Sequence, residues 1–258
     1  VIRHIRFSVL VLGIIFSLAI NPSWAAEPKP VSSNKSLKMG LYTGSPTSLI
    51  YVDSVPRGIG YELGKSFAQE RNLEYVPVIF PKNADVLAAV KDGNVDLVFT
   101  NATPDRMKFI QFSKTVIRIE KGYLISPLSK IKGLSEVNQN GVKIGYSVGS
   151  SSQKELPELI PKATLVETRS TKEAIELLKT GALDGFSTNK AILFELAGNV
   201  DGSRVLPEAI GYENIALGVP LDQGARVSQL NEFVEQIMRS GKLIEIIQRS
   251  GTRGIVVN

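Results

Sequence analysis

Apolar positions recur along the chain with two periods. Short runs that read as strands cover residues 37–42, 75–80, 95–100, 117–126, 165–166, 183–188 and 214–219. Between them lie stretches with the three-to-four-residue spacing of amphipathic helices. Residues 61–71 place Leu63, Phe67 and Ala68 on one face. Asn83 is expected to cap a helix that turns Val86, Leu87 and Val90 inward and ends at Gly93. Ser150 or Ser151 is expected to cap a helix through Leu156. Ser170-Thr-Lys-Glu173 is a capping box opening a helix that ends at Gly181. Residues 227–239 and 242–249 form two further amphipathic helices separated by Gly241. Strands alternating with helices of about ten residues make α/β units with mainly parallel sheets.

The order of parts occurs twice. Residues 142–150 echo residues 37–45, 105 positions later (142 − 37). Lys91, Gly93, Asp96, Thr100 and Asn101 recur 88 positions later (179 − 91) as Lys179, Gly181, Asp184, Thr188 and Asn189. Two similar units imply two lobes, expected at 37–125 with a return segment 215–258, and at 126–214. A hinge is expected near Ser126-Pro127 and over 214–220. Asp96 and Asp184 stand where apolar strands begin. Each is expected to accept hydrogen bonds from nearby backbone rather than to serve a site. Ligands in such sheets bind at the carboxyl ends of strands. Thr100-Asn101, Gly149-Ser150 and Thr188-Asn189 lie at such ends.

Thr103 and Pro104 read as the N-cap and first residue of a helix after the 95–100 strand. Arg106 then sits in its first turn, where a planar guanidinium and free backbone N–H groups suit a carboxylate. Gly149-Ser-Ser-Ser152 supplies further N–H and hydroxyl donors ahead of its own helix. The glycines of 58–64 follow Pro56-Arg57 rather than an apolar strand, so they do not make a dinucleotide loop. Ser151-Ser-Gln-Lys154 and Lys179-Thr-Gly181 match two motifs of penicillin-binding enzymes, but no Ser-Asp-Asn completes the set.

Composition narrows the chemistry. The 258 residues are 43% hydrophobic and 21% charged, as in ordinary globular chains. The formal charge of +5 includes Arg3 and Arg6, and no basic cluster points to nucleic acid. There is no cysteine, which excludes disulfides, thiolate nucleophiles and thiolate metal sites. The single histidine is His4. No carboxylate cluster has metal-ligand spacing, so neither a metal nor a cofactor is expected. Residues 1–25 read as a cleavable signal peptide. Arg3, His4 and Arg6 precede a 14-residue apolar run over 7–20, then Asn21-Pro22 and Ser23-Trp-Ala25. The run is shorter than the roughly 20 residues a membrane span needs. With no cysteine after it, a lipoprotein is not expected. Residues 26–36, rich in Pro, Ser and Lys, are expected to be a flexible linker.

From about residue 37 to 250 the chain resembles the bacterial extracellular solute-binding proteins of family 3. These are periplasmic receptors of polar amino acid ABC transporters. The resemblance is carried by 58–63, Lys91-Asp-Gly-Asn-Val-Asp-Leu97, Thr103-Pro-Asp-Arg106, Phe112-Ser113, 141–152 and Thr180-Gly-Ala-Leu-Asp184. It implies the type II periplasmic-binding fold, two α/β lobes with a ligand cleft between them. It further implies that Arg106 binds the ligand's carboxylate, with Thr103, Gly149, Ser150 and Ser151 assisting. Thr100, Asn101 and Ala102 would hold its ammonium, together with a second-lobe aspartate. Asn189 stands where relatives carry that aspartate, and a neutral amide cannot supply its charge. Relatives usually carry about two more residues between the positions of Asp96 and Arg106, and an aromatic after Phe-Ser that Lys114 and Thr115 replace. Tyr42 and Phe80 are the candidates for an aromatic shelf. The expected function is a monomeric periplasmic receptor for a small carboxylate or amino-acid-like ligand, which it delivers to an ABC permease or a membrane sensor. The alternative is a cyclohexadienyl or arogenate dehydratase-like enzyme on the same fold. A third reading is a ligand-free adaptor for a membrane partner.

Overall fold

A computed structural model describes residues 36–256 together with Val1. The expected signal peptide and nearly all of the linker lie outside the described residues. The chain opens with β1 (Ser36–Tyr42) and a hairpin of β2 (Ile50–Val52) and β3 (Val55–Arg57). There follow α1 (Ile59–Glu70), β4 (Glu74–Phe80), α2 (Asn83–Lys91), β5 (Leu97–Asn101), β6 (Ile110–Phe112) and β7 (Ile117–Ile125). Next come β8 (Lys143–Ser147), α3 (Ser152–Leu159), β9 (Thr164–Thr168), α4 (Thr171–Lys179), β10 (Gly185–Asn189) and α5 (Lys190–Ala197). The chain closes with β11 (Arg204–Val205), β12 (Gly211–Pro220), α6 (Val227–Arg239), α7 (Lys242–Ser250) and β13 (Ile255–Val256).

The strands run in the order β4-β1-β5-β12-β7-β10-β8-β9. Pairs among β4, β1 and β5 are parallel, as are those among β10, β8 and β9. The middle of the sheet is antiparallel, where β12 and β7 pair with each other and with their neighbours. The result is two half-sheets of one pattern, joined at β12 and β7. Each half is covered on both faces, which is what buried parallel strands require. In the first lobe, α1, α6 and α7 pack on one face around Leu63, Phe67, Phe233 and Ile246. On the other face, Val86 and Val90 of α2 pack against Val98. In the second lobe, Leu156 of α3 meets Tyr123 and Ile144, while α4 and α5 enclose Phe186 on the opposite face. Burying a side chain such as Phe233 completely is worth about 1.5–3 kcal/mol, and its ring also meets Phe67 edge-on at 5.2 Å.

β7 belongs to both lobes. Ile117 and Ile119 pack in the first, whereas Tyr123, Leu124 and Ile125 pack in the second. Its first half, Ile117–Lys121, pairs with Gly211–Ile215 of β12. The strand therefore passes from the first core to the second along this paired segment and ends just before Ser126-Pro127. Ser126 is already buried inside the second lobe, where its N–H donates to Asp184 O at 2.9 Å and its Oγ to Leu178 O at 2.8 Å.

The duplicated aspartates take matching places. Lys38 N donates to Asp96 Oδ2 and Lys143 N to Asp184 Oδ2, both at 2.9 Å. Each aspartate N–H returns a bond to the same lysine's carbonyl, at 2.8 and 2.9 Å. The two carboxylates thus tie adjacent parallel strands where those strands begin, once in each lobe.

Two expectations differ: Asn83 is the first residue of α2 rather than its cap, which falls on Lys82, and the element after β5 is not the expected one. No α-helix follows Thr103-Pro104; a single 3₁₀ turn, Arg106–Lys108, stands there. Residues 110–112 leave it at once to pair with β12, which leaves no room for a longer helix. Arg106 is therefore held by side-chain packing and hydrogen bonds, not at the N-terminus of a helix.

Candidate functional site

The carboxyl ends of β1, β5, β8 and β10 open on one cleft between the lobes, and β12 crosses its floor. The cavity there, about 70 Å³, is lined from the first lobe by Tyr42, Thr100, Asn101 and Arg106, and from the second by Ser150, Ser151 and Asn189. Seven of the eleven expected site residues therefore meet in one place. Phe80 instead packs against the α2 side of the first lobe. The backbone N–H of Ala102 donates to Asn214 O at 2.9 Å. Thr103 lines an adjoining hollow with Pro104 and Gly149. Among the described residues, no group of three or more acidic or histidine side chains is placed to hold a metal ion.

Arg106 is buried. Its Nη1 donates to Thr100 Oγ1 at 2.8 Å and to Asn101 O at 3.1 Å, and its Nη2 to Gly149 O at 3.2 Å. Of the five donors of a guanidinium, two stay unused by these bonds. Burial lowers the Arg106 pKa from its ordinary value, while the Glu213 carboxylate and the Tyr42 phenol favour its charged form. An arginine keeps its proton through any such shift, so the cavity holds a fixed positive charge. Tyr42 has its phenol pushed up, chiefly by burial, and stays neutral near pH 7.

Glu213 is the residue the sequence reading missed. On β12, Glu213 and Ile215 are buried while Tyr212 and Asn214 are exposed, so the alternation turns Glu213 into the cleft. Ser151 Oγ donates to its Oε1 at 2.5 Å, and Asn189 Nδ2 donates to its Oε2 at 2.8 Å. Asn189 is thereby occupied at both ends, because its Oδ1 accepts Ile192 N at 3.1 Å and caps α5. Ser151 stands at the N-cap of α3, but its hydroxyl serves Glu213 rather than the helix. Among the described residues, no basic side chain lies within ion-pair distance of Glu213 or acidic one within that distance of Arg106. The available signal was phase: Glu213 is in register with the buried Ile215, Leu217 and Val219 of its strand. Asn83, Arg169 and Thr171 also line the cavity without having been expected there.

The lobes touch across the cleft. Gly149 O accepts from Arg106 and, at 3.5 Å, from Asn83 Nδ2. Asp105 of the first lobe pairs with Lys154 of the second and, at 2.7 Å, with Lys108. These two lysines hold the exposed Asp105 carboxyl down at about 2.

Comparison with known proteins agrees with this architecture. The chain is 25% identical over 162 residues to the ABC transporter glutamine-binding protein GlnH of Bacillus subtilis (strain 168), covering 62% of this chain and 59% of that one. It is 25% identical over 131 residues to the glutamine-binding protein of Geobacillus stearothermophilus, covering 50% of each. The chain thus spans between half and three fifths of the length of these curated relatives. Among solved structures, the ancestral amino acid-binding protein AncCDT-1, a precursor of cyclohexadienyl dehydratase, superposes with a TM-score of 0.72. That match is 20% identical and covers 83% of this chain and 95% of the other, so it speaks to fold alone. The model of one family matches residues 37–252. The chain belongs to the bacterial extracellular solute-binding proteins, family 3.

Proposed function

We propose that this protein is a periplasmic receptor for an amino-acid-like carboxylate, which it carries to an ABC permease. The observation that carries this reading is Arg106: a buried guanidinium with two unused donors, no acidic partner of its own, and a cavity between two lobes in front of it. A ligand carboxylate there would take both donors side by side. The relatives named as glutamine-binding proteins support an amino acid as the ligand class. The crossing strands β7 and β12 provide the axis about which the lobes part and close. Cross-cleft bonds at Gly149 and Lys154 fit the closed form, and closure gives the permease a shape to recognise. In this reading the first lobe comprises 37–125 and 215–258 and the second 126–214, with the axis at the β7–β12 pair. The receptor reading assigns no catalytic step to the cleft.

The test is a thermal-shift and calorimetric panel of the twenty amino acids on the wild-type chain and on Arg106→Ala. A ligand at 100-fold its Kd stabilises by about 2.7 kcal/mol, which raises Tm by roughly 5–10 °C for a chain of this size. The wild type should show that shift with at least one amino acid, and Arg106→Ala should lose it. An Arg106→Ala protein that binds as the wild type does would refute the assignment.

A further inference from the structure

We infer that Glu213, held in place by Ser151 and Asn189, supplies the negative charge for the ligand's ammonium. The inference rests on the receptor reading above and goes on to specify its ligand as a zwitterionic α-amino acid rather than a simple carboxylate.

A buried carboxylate without a cationic partner is costly, and buried charges are normally paired. Glu213 and Arg106 both line the same cavity and both are buried, yet they do not pair with each other. The scaffold holds them apart. Thr100, Asn101 and Gly149 fix the guanidinium from one side, and Ser151 and Asn189 fix the carboxylate from the other. An ionised carboxylate offers about four acceptor sites, and two are taken, so two remain for a ligand. An ammonium has three donors and no acceptor. A molecule carrying a carboxylate and an ammonium on one carbon therefore completes both unpaired charges at once.

Asn189 acts as a positioning residue. It caps α5 with one end and holds Glu213 with the other, so the start of a second-lobe helix orients an acid from the crossing strand.

The experiment is calorimetric titration of each amino acid that binds in the panel of twenty against its des-amino counterpart, as L-alanine with propanoate, L-serine with 3-hydroxypropanoate or L-glutamine with 4-carbamoylbutanoate. The wild type should bind at least one amino acid and prefer it over its counterpart. Glu213→Gln keeps the shape and one acceptor, and should weaken that amino acid by about 30-fold or more, the usual cost of removing one member of a buried charge pair. Its binding of the des-amino counterpart should not fall. Moving the carboxylate across the Asn189–Glu213 hydrogen bond, in Glu213→Gln with Asn189→Asp, should recover at least tenfold of the loss. Circular dichroism and Tm of each variant verify folding. If Arg106→Ala abolishes binding but Glu213→Gln leaves the amino acid's affinity within threefold, this inference fails and the receptor reading stands. If Arg106→Ala also binds normally, or the wild type binds none of the twenty amino acids, both fail.

Discussion

Replacing Gly149 with alanine separates closure of the cleft from the chemistry inside it. Gly149 lies in the second lobe with φ of +74°, and a Cβ built there would stand 2.9 Å from Ala84 Cβ and 3.3 Å from Ala84 Cα. Ala84 belongs to α2 of the first lobe, so this contact exists only when the lobes meet. Carbon atoms pack best at about 3.5–4.0 Å. A methyl forced inside that distance against a short side chain on a helix has nowhere to go, and overpacking of this kind costs roughly 1–3 kcal/mol. The left-handed backbone adds about 1–2 kcal/mol, but it does so in the open and closed forms alike. The first cost opposes closure and the second lowers only the stability of the fold. Gly149→Ala should therefore weaken ligand binding by about 5- to 150-fold, at 1.4 kcal/mol per factor of ten. Tm of the unliganded protein should also drop slightly. Calorimetry gives the affinity, and small-angle scattering with and without ligand gives the compaction on closure. A variant whose Tm falls while its affinity and compaction match the wild type would show that Gly149 and Ala84 do not meet in the liganded form.

Two further predictions come from charged groups outside the cavity. Asp96→Ala and Asp184→Ala each remove a carboxylate that accepts a strand-start N–H at 2.9 Å. Bonds to charged groups contribute about 1.5–3 kcal/mol, so thermal unfolding should show Tm lowered by roughly 3–12 °C; a loss of ligand affinity at unchanged Tm would contradict the structural role of these aspartates. The carboxyl of Asp105 is depressed from 3.8 to about 2 by Lys108 and Lys154. Its contribution is thus present above pH 3.8 and lost as pH falls through about 2. Because the group is exposed, salt screens it. Asp105→Asn should bind ligand like the wild type at pH 7 and about 1 M salt, and at low salt the two proteins should converge in stability only in strong acid; a large difference at high salt would mean that the Lys154 contact does more than bridge the cleft mouth.

The strands and helices were largely legible because the chain is built from amphipathic pieces with clear punctuation. The helix expected over 227–239 has those bounds in the structure as α6. The box at Ser170 is present, with Ser170 Oγ accepting Glu173 N at 3.2 Å. The duplicated aspartates were legible too, since a polar residue that opens an apolar strand in two copies serves a local backbone purpose. Arg106 was found from its neighbours in sequence, although its environment was misjudged. The Thr-Pro pair suggested a helix, and pairing of residues 110–112 with residues 218–220 prevented one.

Sequence alone determined the period of each element, the repetition of the lobe, and the presence of a cation at the end of the first-lobe strand. All of these depend on residues within a turn or two of one another. Tertiary structure decided which charge faces that cation. Glu213 looks like any glutamate at the edge of a strand. It becomes a site residue only because β12 crosses the cleft floor and brings it to Ser151 and Asn189, 62 and 24 residues away. The same folding explains Asn189. Read by itself, an amide at that position removes a charge. In the folded chain it holds one in place, because a buried carboxylate needs donors and the nearest strand end supplies them.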